Sequence, residues 1–165
     1  MGAIACDPAS CSQANDLVQA RTFYSMEDNG LLEENVWTSP VYLNTPSSAD
    51  PRRGNESHHG VWLRELKRRI DIGEVQEVIC LTPSAFHCDY FKDIIMDSNV
   101  QFAYAHLFRF AFIPSSGAAH HVPKSPTPYC ILYFGPNTQR FVDAFQDIGI
   151  IPGTNAWANR LPSEQ

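Results

Sequence analysis

The run Val41-Tyr42-Leu43-Asn44-Thr45-Pro46-Ser47 constrains this chain more than any other stretch. β-Branched Val41, aromatic Tyr42 and apolar Leu43 read as a buried strand. The strand stops at an asparagine with a proline two residues on. In open α/β sheets, ligands sit outside the carboxyl ends of the strands. Asn44 stands at such an end, with one amide oxygen to accept and one amide nitrogen to donate. Strand-Asn-x-Pro is also the ordinary shape of a strand exit, so the rest of the chain has to decide between the two readings.

At 165 residues the chain makes one domain with a sizeable core. With 44% apolar and 18% charged residues, it reads as globular rather than disordered. No apolar run approaches membrane-spanning length, and Met1 opens no charged-then-apolar leader. Five cysteines, at 6, 11, 80, 88 and 130, form no CxxC pair. Cys6, Cys80 and Cys130 lie in apolar surroundings and read as reduced, buried thiols, which places the chain inside a cell. The His58-His59 and His120-His121 pairs lack zinc-motif spacing, so no metal is expected. Cys88 with His87 or His121 makes a poor nucleophile pair, because no acid is placed to orient the histidine.

Net charge is −6, which argues against a non-specific DNA binder. A local basic cluster remains. Arg52, Arg53, Arg64, Lys67, Arg68 and Arg69 hold half of the twelve positive charges. The cluster reads either as a nucleic-acid face or as the solvated side of a helix.

Along the chain, an apolar run over 2–6 ends at Asp7-Pro8, and a helix is expected from Ser10 to Leu17. A second strand covers Ala20–Tyr24, and Glu27-Asp28-Asn29-Gly30 makes a turn. After Val41–Leu43 comes a polar loop, 47–59. A helix with basic residues on its outer face covers Val61–Ile70 and ends at Gly73. A buried strand runs from Val75 to Leu81 and stops at Pro83. A helix from Phe86 to Met96 follows, then an aromatic stretch over 100–113 with strand alternation at its end. After a second polar loop, Tyr129–Phe134 is a strand, Thr138–Phe145 a helix and Ile148–Ile151 a last strand. The domain spans 1–152, with a polar tail over 153–165. Strands alternate with helices early and cluster late. This predicts an α/β three-layer sandwich with a mainly parallel sheet and an antiparallel return near the C-terminus.

Several pieces, taken in order, resemble the phage-type DNA adenine methyltransferase family. The first is Asp7-Pro8-Ala9-Ser10, followed by Ala14-Asn15, Phe23-Tyr24-Ser25, Glu27 to Leu31, Trp37 and Val41 to Pro46. The second is Phe110 to Ile113, Ser125-Pro126, Ile131 to Asn137 and Arg140-Phe141. The resemblance implies a Rossmann-like S-adenosylmethionine-dependent sandwich. It places Asp7 beside the cofactor's ammonium, and Asp28, Gly30 and Leu31 at its adenine. Asn44 and Pro46 then stand for the family's catalytic Asn-Pro-Pro-Tyr, and Arg52, Arg53, Arg64, Lys67 and Arg68 face double-stranded DNA.

In that chemistry, a side-chain amide oxygen and a backbone carbonyl accept the N–H bonds of a flipped adenine. This turns the amine lone pair toward the sulfonium methyl. The chain departs from the pattern at two places. Thr45 stands for the first proline and relaxes the turn, and Ser47 removes the stacking aromatic. Met1 also lies almost at the first strand, where the family carries a further pocket-closing segment. These departures carry a second reading: a catalytically inactive methyltransferase fold serving as a structural or interaction subunit with protein partners.

Overall fold

A computed structural model describes residues 2–47, 49–50, 56–96, 102–107 and 127–152. In chain order the elements are β1 (Cys6–Asp7), α1 (Ser12–Val18), β2 (Thr22–Phe23), β3 (Val41–Asn44), β4 (Ala49–Asp50), β5 (Glu56–Ser57) and α2 (His58–Asp71). Then come β6 (Val78–Pro83), α3 (Asp89–Met96), β7 (Phe102–Leu107), β8 (Tyr129–Phe134), α4 (Thr138–Phe145) and β9 (Gly149–Ile150). Seven strands form one sheet in the order β2-β1-β3-β6-β8-β7-β9, and β4 and β5 make a separate small hairpin.

The pairs β2–β1, β1–β3 and β3–β6 are parallel, whereas β6–β8, β8–β7 and β7–β9 are antiparallel. The α/β class and the antiparallel return late in the chain are as expected, and the sheet is mixed, with three parallel and three antiparallel pairings among the described strands. It is compatible with a Rossmann-like arrangement.

Side chains alternate across the pleat and so divide the core in two. Val41, Leu43, Val78, Cys80, Cys130, Leu132 and Phe134 face Trp62, Leu63 and Leu66 of α2 and Phe91 and Ile94 of α3. Tyr129, Ile131 and Tyr133, with Ile79 and Leu81, face Phe141, Val142 and Phe145 of α4. Three layers result. Helix α1 buries none of its residues, and Leu17 is 87% exposed.

Some boundaries differ from the sequence reading. Helix α2 begins at His58, so the His58-His59 pair opens a helix instead of lying in a loop. It ends as expected at Gly73, whose φ of +80° is left-handed and whose N–H returns to the Ile70 carbonyl. The alternating aromatics at 108–112, the loop 115–126 and the tail 153–165 lie outside the described residues, as do Arg52 and Arg53. No described helix is long and apolar enough to cross a membrane.

Arg69 was read as part of a basic face, but it is the polar centre of the core, at 1% exposure. Its guanidinium donates to Glu65 and Glu74, each at 2.6 Å, and to the carbonyls of Asn35 at 2.7 Å and Leu32 at 3.2 Å. It also lies over the Trp37 ring, 4.6 Å from the centroid. A buried guanidinium is tolerable only when its donors are filled, and here two carboxylates and two carbonyls fill them. Burial raises Glu65's pKa, but Arg68 and Arg69 more than offset it, and the net shift is downward. The contribution of this carboxylate is complete above its ordinary value of 4.5 and fades as pH falls through the lowered one.

Removing one partner of such a buried pair strands the other charges. Arg69→Ala is expected to cost about 3 kcal/mol or more in urea unfolding. It should also disturb the near-ultraviolet signal of the stacked Trp37–Trp62 pair. A loss below about 1 kcal/mol, the range of a surface pair, would mean that the cluster does not hold the core.

Candidate functional site

The chain order reverses at β1. Strand β2 lies on one side of it, and β3 and then β6 on the other. Ligand crevices in open α/β sheets form at such a switch point, beyond the carboxyl ends of the two flanking strands. Those ends are Asp7-Pro8 and Asn44-Thr45-Pro46. The topology therefore brings two separately predicted pieces to one edge.

Cys6 is in register with Val41, so Asp7 falls beside Tyr42, and Asn44 lies two residues further along. Asp7, Tyr42 and Asn44 share one face by alternation. Strand spacing and rise separate Asp7 from Asn44 by about 8 Å.

Asp7 is 2% exposed. Burial raises its pKa, and the Ser10 hydroxyl and the Ala9 amide only partly offset this. The amide donates to Oδ1 at 3.3 Å. The Ser10 hydroxyl is close enough to lower the carboxyl's pKa, yet it is enclosed and has no well-aligned hydrogen bond among the described residues. Beside Asp7, burial first, then the carboxylate and then Cys80 push the Tyr42 phenol up to about 12. A carboxylate with spare acceptor capacity beside a hydroxyl can take a cationic or N–H-bearing group.

The second wall comes from the 25–31 turn. Asp28 is exposed, and its pKa is lowered by the Ser25 backbone amide, which donates to Oδ2 at 2.9 Å, and by the Ser25 hydroxyl. Gly30 is buried against Pro8, and a methyl group added there would overlap the Pro8 carbonyl oxygen. Only glycine allows the turn to pack against the end of β1. The Gly30 carbonyl accepts the Trp37 indole N–H at 2.8 Å, and Leu31 packs on the core. Trp37 lies under Arg69. One chain of contacts thus runs from α2 through Arg69, Trp37 and Gly30 to the Asp7-Pro8 corner. Gly30 meets Pro8, the residue after Asp7, at that corner, Leu31 follows it in sequence, and Asp28 is exposed.

On β3, Asn44 is half-buried, and its side-chain amide makes no hydrogen bond among the described residues. Pro46 is half-buried and Ser47 exposed. The expectation that Thr45 loosens this turn is corrected. Its N–H donates to the Leu81 carbonyl at 3.1 Å, which extends the β3–β6 pairing. Its hydroxyl lies 2.7 Å from His59 Nδ1 and 3.1 Å from Thr82 Oγ1. Thr45 is a buried, hydrogen-bonded anchor.

The basic cluster is largely neutralised on its own helix. Lys67 pairs with Asp71 at 2.6 Å, Arg68 pairs with Glu65 at 2.8 Å, and Arg69 is internal. Arg64 is exposed. Cys6, Cys80 and Cys130 are buried free thiols. Burial drives Cys6 and Cys130 up to about 12, so neither is a nucleophile. Among the described residues, no three His, Cys, Asp or Glu side chains gather as a metal site.

Three contributors were not singled out from sequence: Tyr42, His59 and Thr82. Strand alternation from Asn44 could have found Tyr42. His59 and Thr82 join the site only through tertiary packing. No protein-family model, no curated protein and no solved structure matches the chain.

A carboxyl whose pKa rises on folding costs nothing below its ordinary value of 3.8, where it is protonated in both states. Above its raised folded value the full cost applies. Asp7→Asn is therefore expected to stabilise the protein at neutral pH by roughly 1 kcal/mol, as when a group kept for function is relaxed. The gain should vanish in thermal melts below about pH 3.8. A loss of stability at neutral pH would mean that Asp7 serves the fold rather than a ligand.

Proposed function

We propose that the protein is an S-adenosylmethionine-dependent methyltransferase acting on the exocyclic amine of adenine in double-stranded DNA. The supporting observation is the meeting of the Asp7 corner and the Asn44 turn at the switch point of the sheet. In this reading the cofactor's ammonium lies at Asp7, where a buried carboxylate has acceptor capacity to spare. Its adenine lies along Gly30 and Leu31, with Asp28 on the rim. Asn44 stands about 8 Å from Asp7, a separation that suits a substrate amine facing a methyl group carried by a molecule anchored at Asp7.

Asn44 accepts one amine hydrogen through its side-chain oxygen, and the backbone ahead of Pro46 accepts the other. Both acceptors draw the nitrogen lone pair out of the ring and aim it at the methyl. DNA would lie along the exposed side of α2 that carries Arg64. Lys67 and Arg68 contribute less than a bare count of charges suggests.

A second reading keeps the fold and drops the reaction: an inactive methyltransferase fold serving as an interaction subunit. The exposed Ser47 favours it, because the base has no aromatic platform. So do the exposed Leu17 and Met26, each at 87%.

Calorimetry separates the two readings. Wild type should bind S-adenosylmethionine and its demethylated product, and Asp7→Ala should weaken both by tenfold or more, about 1.4 kcal/mol. The absence of heat at millimolar cofactor would end the enzyme reading. In the enzyme reading, Ser47→Tyr alone should tighten binding of an adenine-containing duplex by roughly 1–3 kcal/mol, the worth of a base–aromatic stack. A proline at 45 should not help, because it would remove the Thr45 N–H bond to Leu81.

A further inference from the structure

We infer that His59 is a positioning residue for the Asn44 turn, acting through Thr45 from the opposite face of the sheet. The inference rests on the methyltransferase reading only for what Asn44 does, not for how the turn is held.

The problem is mechanical. An acceptor that must hold an amine in one orientation needs a fixed backbone beneath it. The chain has one proline in this turn, Pro46, and the residue between it and Asn44 keeps an N–H that a proline would lack. That residue is Thr45. Its amide is tied to the Leu81 carbonyl, and its hydroxyl lies 3.1 Å from Thr82 and 2.7 Å from His59 Nδ1. Thr45 is 4% exposed and Thr82 fully buried, so the bond between them is shielded from competing water, and the His59 contact is part-buried.

Alternation sends Asn44 and Thr45 to opposite faces. His59 therefore does not reach the base. It grips the backbone unit that presents Asn44 through the shortest of the Thr45 hydroxyl's contacts, 2.7 Å against 3.1 Å to Thr82 and 3.4 Å to the Leu81 carbonyl. Burial and then the neighbouring His58 lower the His59 pKa, so the imidazole is neutral near pH 7. A neutral ring can share one proton with Thr45 in either direction.

His59 occupies the second position of α2, the helix that carries Arg69 at its far end. The same helix thus supports both halves of the site. Arg69 acts on the Gly30 side through Trp37, and His59 acts on the Asn44 side through Thr45.

Three substitutions in the full chain test this. His59→Phe keeps a planar ring and removes the polar partner. His59→Asn keeps a group at the Nδ1 position that can donate or accept. Thr45→Val keeps the shape and removes the hydroxyl. Amide exchange at Thr45, followed by NMR, reads the clamp directly and needs no cofactor. His59→Phe and Thr45→Val should each speed exchange at Thr45 by about tenfold, near the worth of one hydrogen bond. Exchange at Val78 and Leu132 should be unchanged, and His59→Asn should restore most of the protection.

The functional readout is anisotropy of a labelled duplex bearing one adenine opposite an abasic site, with S-adenosylhomocysteine present. His59→Phe should weaken this binding by about tenfold while leaving calorimetric cofactor affinity within twofold, and His59→Asn should recover it. Unchanged Thr45 exchange in both His59→Phe and Thr45→Val would overturn the inference whatever the cofactor result. Equal loss of cofactor and duplex binding would overturn it too, because the residue would then serve the whole fold. If wild type binds no cofactor, the methyltransferase reading fails by itself, and the exchange measurement still decides whether His59 holds the turn.

Discussion

A single buried guanidinium organises the half of the molecule that would meet a ligand. Arg69 enters the core because Glu65, Glu74 and two carbonyls of the 32–35 segment fill its donors. With those bonds made, the long connection between β2 and β3 has one place to lie. Trp37 packs against both the guanidinium and Trp62, and its indole N–H donates to the Gly30 carbonyl. Gly30 then packs on Pro8 so closely that no side chain fits between them. A charge that costs several kcal/mol to desolvate thereby sets the shape of a corner formed by residues far from it in sequence.

The sheet supplies the second constraint. The short parallel strands β1 and β3 flank the point where the chain reverses its direction across the sheet, and both end in polar residues that the pleat turns to the same side. Asp7 is buried at a net electrostatic cost, and Asn44 keeps its amide unengaged among the described residues. Fold stability explains neither choice. On the other face, by contrast, the hydroxyl of Thr45 is matched. It lies within hydrogen-bond reach of His59, of Thr82 and of the β6 backbone at Leu81. One side of the turn is hydrogen-bonded and the other carries an amide without a bond among the described residues, a division of labour that suits a binding edge.

Much of this was legible in the residues. The strand over Tyr129–Phe134 and the helix over Thr138–Phe145 fall where apolar runs and the Gly135-Pro136 break put them. The strand before Asn44 could be read because Val, Tyr and Leu admit little else ahead of an Asn-x-Pro exit. Arg69 could not. In a run of basic residues, the buried arginine differs from its exposed neighbours only by its place on the helical wheel and by partners at 32, 35 and 74 that local spacing does not reveal. Thr45 was misjudged for the same reason. Set against a motif it is a missing proline, and set against β6 and α2 it is a hydrogen-bonded anchor. The basic face looked stronger in sequence because the acids that neutralise it, Glu65 and Asp71, were not paired with it.

The central claim is that the switch-point edge, built from the Asp7 corner and the Asn44 turn, is the ligand site. Hydrogen exchange across the backbone, with and without saturating S-adenosylmethionine, tests it most directly. The account predicts added protection at residues 8–11 and 29–31, a smaller effect at 44–47, and none on α4 or β8. Protection confined to α4 and β8, or no change anywhere along the chain, would contradict it.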